Sequence, residues 1–233
     1  MMITDLVLLS GGLATRLRPI SHSIPKSLID INGKPFIEFQ LKLLKEQGIK
    51  NIVICVGYLG EQIEDLIGDG DKFGLNIKYS YDGDKLLGTA GAIKKALPYL
   101  PDTFFIMYGD SYLPINFEEV SKLFTTSNKP ALMTVIKNDN QWDKSNVIFS
   151  ENKITKYDKV NIVPEMNFID YGLGIVTKTC FNCVGDGEVY DLANIYRDLA
   201  EDNKLLGFET EQRFYEIGSF NGIEEFKKLI TTK

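Results

Sequence analysis

Histidine is almost missing from this chain and cysteine is scarce: His22, Cys55, Cys180 and Cys183 are the only imidazole and thiol groups among 233 residues. A structural zinc site needs four such ligands at close spacing, and Cys180-x-x-Cys183 finds no second pair, so zinc and thiol redox chemistry are set aside. The cysteines read instead as small apolar fillers in a reducing compartment. The same shortage leaves no Ser/His/Asp or Cys/His nucleophile set, and no covalent enzyme intermediate is expected. No apolar run approaches the ~20 residues of a membrane span. The N-terminus also lacks a basic stretch followed by an apolar core and a small-residue cleavage site, so a cytoplasmic protein without a membrane partner is expected. Positive charge is short as well, with 26 basic residues against 32 acidic and a formal net charge of -6. With no basic stripe carrying interleaved aromatics, nucleic acid is not expected as a partner. What is present, 44% hydrophobic and 25% charged residues, suits one large globular domain with a substantial core.

Against that acidic background the stretch from Leu6 to Ser27 stands apart. Arg16, Arg18 and Lys26 follow Gly11 and Gly12, with no Asp or Glu between Asp5 and Asp30. The apolar run Leu6-Val7-Leu8-Leu9, ended by Ser10 and the glycine pair, reads as a buried strand entering a tight loop. Glycine lets backbone N–H groups turn toward a bound group with no Cβ in the way, and such loops cradle phosphate. Two familiar phosphate loops are excluded by spacing. G-x-x-x-x-G-K-[ST] is absent, because Lys26 is not preceded by Gly and Gly33-Lys34 is followed by Pro35. G-x-G-x-x-G is absent too: Gly68-x-Gly70, Gly172-x-Gly174 and Gly185-x-Gly187 all lack the third glycine in place.

Leu9-Ser10-Gly11-Gly12-Leu13-Ala14-Thr15-Arg16-Leu17-Arg18-Pro19, followed by Ile24-Pro25-Lys26-Ser27, resembles the signature loop of the sugar-1-phosphate nucleotidylyltransferases, GG-x-[GA]-TR-L-x-P and then PK. The resemblance implies a three-layer, Rossmann-like α/β fold with a mostly parallel mixed sheet. It also implies an NTP and a sugar 1-phosphate as partners and Mg2+ as cofactor. It gives Leu9, Ser10, Gly11, Gly12, Ala14 and Thr15 to the nucleotide, Arg16 to the leaving β,γ-phosphates and Lys26 to the transferred or incoming phosphate. A glycine turn with solvated arginines is the plainer alternative.

Further along, Pro35 opens a helical pattern through Phe36, Ile37, Phe39, Leu41, Leu43 and Leu44 that stops at Gly48, and a strand follows over Asn51 to Val56. Strand, loop, helix and strand in that order begin a parallel α/β sheet. A helix over Glu61 to Leu66 and a strand over Leu75 to Tyr81 come next. Leu86-Leu87-Gly88-Thr89-Ala90-Gly91-Ala92-Ile93 opens another helix and resembles the family's LGTAGA element, which implies nucleoside contact at Gly88 and Thr89. Small residues at a helix start also read as close packing. Gln62 is a second candidate for the base, although amides are common on exposed helices. The apolar strand Thr103 to Tyr108 delivers Gly109-Asp110 to its C-terminal end, where ligands gather in open parallel sheets. Its likeness to the family's strand-GD motif implies that Asp110 holds magnesium, a metal that often takes only one or two carboxylates, with phosphate and water completing its shell.

A helix over Asn116 to Phe124 and a strand over Ala131 to Ile136 lead into a charged, turn-rich stretch and the shorter strands Asn146 to Phe149 and Lys153 to Tyr157. The pattern changes there from βαβ to hairpin-like, which predicts a lid-like subregion at about 137–175, over the sheet edge, shaping the sugar pocket. Asp158-Lys159 stands where the family carries an acid followed by Lys. The match implies Asp158 on sugar hydroxyls and Lys159 on the sugar phosphate, though the family's acid is usually Glu and is often followed by Lys-Pro. A solvated charge cluster fits the same residues. Phe168 to Val176 resembles the N-x-G-[IL] strand and would bring Asp170 and Gly172 to the sugar; a core strand bulged at glycine is the alternative. An amphipathic helix over Tyr190 to Glu201 and a strand over Lys204 to Phe208 follow.

Tyr215-Glu216-Ile217-Gly218-Ser219 resembles the family's D-I-G-[TS] motif, whose Asp is the second magnesium carboxylate and is Glu216 here. A closing helix over Ile223 to Ile230 ends the chain, so residues 1–233 are expected to form a single catalytic domain without the left-handed β-helix that many relatives append. The implied reaction is in-line attack of the sugar phosphate on the α-phosphorus of the NTP, driven by alignment and charge neutralisation. The overall look is nearest to the heptose 1-phosphate guanylyltransferases, with glucose- and mannose-1-phosphate enzymes behind. A non-catalytic relative that binds a nucleotide sugar is the competing class, motivated by Glu216, Asp158 and the missing Lys-Pro. Oligomeric state is not legible, and a homo-oligomer stays open.

Overall fold

Short apolar runs alternating with amphipathic stretches fold into strand–helix–strand units in a computed structural model that describes residues 2–12, 17, 23–139 and 141–232. The first half gives β1 (Asp5–Leu9), a small hairpin of β2 (Asp30–Ile31) and β3 (Lys34–Pro35), α1 (Phe36–Glu46), β4 (Asn51–Val56), α2 (Gly60–Ile67), β5 (Asn76–Tyr81), α3 (Gly88–Ala96) and β6 (Thr103–Tyr108). β5, β4, β1 and β6 lie side by side and all pair in parallel. Parallel neighbours need a long crossover, which α1, α2 and α3 supply; the helices in turn cover the sheet, so both faces of the inner strands are apolar.

The second half adds β7 (Ser111–Tyr112), α4 (Phe117–Thr125), β8 (Ala131–Lys137), β9 (Val147–Ser150), β10 (Lys153–Tyr157), β11 (Phe168–Thr177), α5 (Leu192–Glu201), β12 (Leu205–Glu209), β13 (Tyr215–Glu216) and α6 (Phe220–Thr231). The nine-stranded sheet runs β5-β4-β1-β6-β11-β8-β12-β10-β9. Residues 147–177 therefore extend the sheet instead of forming a lid over its edge. β11 is ten residues long and buries Ile169, Tyr171, Leu173 and Ile175 on one face, so it pairs antiparallel with both β6 and β8 and sits in the middle. The less buried β9–β10 hairpin takes the far edge.

Helix starts follow their caps more than their apolar periodicity. Asp191 accepts the amide of Ala193 at 2.8 Å, so α5 begins at Leu192. Ser219 accepts the amide of Gly222 at 3.0 Å, which starts α6 at Phe220, three residues before the apolar pattern does. Two cores fill the faces of the sheet. A third lies beyond it, where Leu17, Ile29, Phe36, Tyr112, Ile217, Ile223 and Phe226 pack together. Among the described residues, no helix is long and apolar enough to cross a membrane.

Candidate active site

The parallel strands β1 and β6 end side by side at Leu9 and Tyr108, and a glycine follows each within two residues. Gly109 donates its amide to the Leu9 carbonyl at 2.8 Å. A Cβ at Gly109 would fall 2.2 Å from Ser10 Oγ and 2.8 Å from the Leu9 carbonyl, so only glycine lets the two strand ends meet. Beyond them opens a cavity of about 240 Å3, lined in part by Leu9, Ser10, Gly11, Gly12, Lys26, Gly88, Thr89 and Asp110. Eight of the residues singled out in the sequence thus border one space. Ala14, Thr15 and Arg16 lie outside the described residues.

At one end of the cavity the Lys26 ammonium meets Asp110 Oδ2 at 2.9 Å. Lys26 opens a 3-10 turn, Lys26–Leu28, whose neighbour Ile29 is anchored in the third core. Asp110 is tied to the same core from the other side. Glu216 and Tyr215 pair with Ser111 and Tyr112, and the Ile217 amide donates to the Asp110 carbonyl at 2.9 Å. The D-I-G-like turn therefore comes to lie beside the strand-GD turn, as the family resemblance implies. The extra methylene of Glu216 has a visible effect: its carboxylate folds back over its own turn. One oxygen accepts the Ser219 hydroxyl at 2.6 Å and the other accepts the Gly218 amide.

Gly218 marks where these charges converge. A Cβ there would lie 2.7 Å from Glu216 Oε2, 3.4 Å from Lys26 Nζ and 3.6 Å from Asp110 Oδ2. The missing side chain leaves a small cradle walled by two carboxylates and an ammonium. Hard carboxylate oxygens of this kind suit a divalent cation that seeks oxygen. Among the described residues, no three His, Cys, Asp or Glu side chains gather at metal-binding distance. A cation held here would therefore draw the rest of its shell from phosphate and water.

On the β11 side, Gly172 forms the expected bulge, with φ +100°, and the register against β8 shifts between Asp170 and Gly174. Its open face looks toward Tyr108 and Ser111. The two acids expected on the sugar side, Asp158 on its hydroxyls and Asp170 lining its site, are both occupied by the protein. Asp158 Oδ1 accepts the amides of Val160 and Asn161 at 2.7 and 2.9 Å, and Oδ2 accepts the Asn161 side-chain amide at 3.0 Å. These hydrogen bonds hold the Asp158 carboxyl below its ordinary range. Asp170 Oδ1 accepts the Gly172 amide at 2.9 Å, and Oδ2 faces the Tyr157 hydroxyl at 3.4 Å. Burial raises the pKa of Asp170, with the nearby Lys159 charge opposing the rise. Lys159 itself stands over the Tyr108 ring, 5.6 Å from its centroid, and Tyr108 lines the cavity.

At the opposite end, several small residues of the LGTAGA element answer to the chain itself. A Cβ on Gly88 would fall 2.6 Å from the Tyr190 carbonyl, and one on Gly91 would fall 2.3 Å from the Glu188 carbonyl. Thr89 accepts the Leu192 amide at 2.7 Å and joins α3 to the start of α5. Close packing is thus part of what this element does, while Gly88 and Thr89 also face the cavity. Gln62 does not reach it; its amide donates to the Ser23 carbonyl at 3.0 Å. Asp82 was not foreseen. It lines the cavity, is 9% exposed, and accepts the Leu87 amide at 3.2 Å through Oδ2. Burial raises its pKa; the Leu87 hydrogen bond and the Lys95 charge act against that rise. The signal was available, because Asp82 directly follows a parallel strand, as Asp110 follows another, one residue later.

Known proteins with this arrangement point one way. Residues 6–149 match the family described as Nucleotidyl transferase. The chain is 30% identical to the D-glycero-alpha-D-manno-heptose 1-phosphate guanylyltransferase of Campylobacter jejuni, over 91% of this chain and 93% of that enzyme. It is 33% identical to the UTP--glucose-1-phosphate uridylyltransferase of Synechocystis, over 80% of this chain but only 52% of that enzyme's length. In fold it is similar to the inositol-1-phosphate CTP transferase from T. maritima, with a TM-score of 0.81 at 20% identity, covering 99% and 96% of the two chains. The glycine loop beside Lys26 and Asp110 is thus that of a nucleotidyl transferase, and the chain belongs to that family, among the sugar-1-phosphate nucleotidylyltransferases.

Proposed function

We propose that the protein transfers a nucleoside monophosphate from an NTP to a sugar 1-phosphate, with GTP as the nucleotide and a heptose or hexose as the sugar. The observation that carries this reading is the single cavity in which the Gly11-Gly12 loop meets the Lys26–Asp110 pair. A sugar 1-phosphate oxygen forms a bond to the α-phosphorus as the bond to the leaving pyrophosphate breaks in line. That phosphate is already ionised near neutral pH, so no general base is required. Lys26 leaves Asp110 for the transferred phosphate, the loop amides at Gly11 and Gly12 hold the nucleotide phosphates, and Arg16 meets the leaving group. Magnesium, held at Asp110 with Glu216 beside it, supplies charge neutralisation on the phosphate oxygens when bound.

Preference for guanine is supported by Asp82, a carboxylate that lines the cavity beside Gly11. Guanine presents two adjacent donors, N1–H and N2–H2, which a carboxylate accepts together, whereas uracil and thymine present one N–H between two carbonyls. The name of the Campylobacter relative agrees with this reading. The test is pyrophosphate release with Mg2+ across a panel of NTPs and sugar 1-phosphates. GTP should lead, and Arg16→Ala or Asp110→Asn should each lower kcat by about 10²–10³, the usual effect of removing a group aimed at developing charge. Near-normal turnover in both variants would overturn the assignment. A binding-only role has one observation in its favour, the engagement of both Glu216 oxygens by Gly218 and Ser219. Silence across the panel together with tight nucleotide-sugar binding would select it.

A further inference from the structure

The two acids that the family resemblance assigns to the sugar, Asp158 and Asp170, do not line the cavity, and both carboxylates are engaged by the protein. Asp158 is the more informative, because every hydrogen bond it accepts comes from the three residues that follow it. An Asp side chain is short enough to accept its own backbone amides two and three positions on, which closes a turn. Lys159 is the residue enclosed by that turn.

We propose that Asp158 is a positioning residue, which builds the turn that aims the Lys159 ammonium at the sugar-phosphate side of the cavity and does not itself meet the sugar. The proposal rests on the transferase reading above. At the tip of the turn Val160 is 84% exposed, so its own side chain does not anchor the turn by packing. At the base of the turn, the Asp158 amide donates to the Asn146 carbonyl at 3.0 Å. The Asn146 side chain in turn accepts the Asp170 amide at 3.1 Å. The turn and the bulged strand β11 therefore share one anchor. Lys159 leaves it over the rings of Tyr108 and Tyr157, at 5.6 and 5.9 Å from their centroids. The carboxylate of Asp170 faces the same Tyr157 hydroxyl. With its own carboxylate turned back, Asp158 gives up the hydroxyl contact that the family's Glu implies and supplies geometry in its place.

The test compares Asp158→Ala, Asp158→Asn, Lys159→Ala and the double variant Asp158→Ala/Lys159→Ala in the full chain. Two readouts are taken: kcat and KM for the sugar 1-phosphate that the panel selects, and amide hydrogen exchange at Val160 and Asn161 without substrate. Asp158→Ala should raise the sugar-phosphate KM about tenfold or more, the scale of one charge-assisted hydrogen bond, and should speed exchange at both amides. Asp158→Asn, whose Oδ1 still accepts those amides, should recover most of both losses. The double variant should be no worse than Lys159→Ala, since the two residues act as one unit.

Any of the following results would overturn the proposal. One is Asp158→Asn as impaired as Asp158→Ala with its amides still protected, which would mean that the sugar meets the charge. Another is a double variant that loses the product of the single losses. The third is wild-type kinetics in Lys159→Ala, or unchanged exchange in Asp158→Ala. A wild-type protein that is inactive on the whole panel would count against the transferase reading, and the exchange data would then decide the turn alone.

Discussion

Gly218 is the smallest part of the charged junction and the one a single methyl group reaches most directly. An alanine there would press its Cβ to 2.7 Å from Glu216 Oε2, closer than a real contact allows, while Lys26 and Asp110 block escape on the other side. Gly218→Ala should therefore leave the fold intact and lower kcat by about 10²-fold, the scale expected from an ångström of misplacement near the chemistry. Steady-state kinetics alongside a melting curve would separate the two effects. Asp82 carries a pH prediction at the same scale. Burial raises its folded pKa, so the folded protein prefers the protonated form. Ionisation therefore costs stability above that raised value, and acidification through the window between the ordinary carboxylate value and the raised one relieves the cost. The proposed guanine contact needs the ionised form, so on that proposal KM for GTP should rise as pH falls through that window. Asp82→Asn should flatten the profile, and an unchanged acid limb in that variant would assign the titration to another group.

At the scale of elements, the third core sets the junction. Phe226 of α6 lies with its ring centroid 5.0 Å from Phe36, 5.0 Å from Tyr112 and 5.7 Å from Phe39. One ring thus joins the last helix to α1 and to β7, which follows Asp110. Phe226→Ala should cost about 3–5 kcal/mol in urea unfolding, as large-to-small changes in a closed core do. The surviving folded protein should also show reduced kcat, since Ile217, next to Glu216, packs in the same cluster. The elements themselves were largely legible, because strands such as Asn51–Val56 and Thr103–Tyr108 are uninterrupted apolar runs bounded by turns. The starts of α5 and α6 were less so. Periodicity reports which face is buried, whereas the first turn is set by the Asp191 and Ser219 side chains that accept its amides.

For the whole molecule, ligand binding and stability are linked. A nucleotide that binds only the folded state at 100 times its Kd adds about 2.7 kcal/mol. For a chain of this size that is roughly 5–10 °C in Tm. GTP should therefore raise Tm more than ATP, CTP or UTP at equal concentration. Equal shifts for all four would remove the case for Asp82 as a reader of the base. The chain carries a formal net charge of -6, so binding of the proposed polyanionic substrates would rest on local cations and should weaken with added salt.

By itself the sequence determined the local machinery: a buried strand entering a double-glycine loop, a second strand ending in Gly109-Asp110, and an acid–x–Gly–Ser turn near the end. These depend on apolar runs and on glycine's backbone freedom, which act over a few residues. Tertiary structure decided how they meet. Lys26 and Asp110 are 84 residues apart, and only the third core brings them, with Gly218, to one point. It also decided that Asp158 turns inward, because its side chain chooses between solvent, sugar and its own backbone according to the donors within reach, and the amides of Val160 and Asn161 are the nearest.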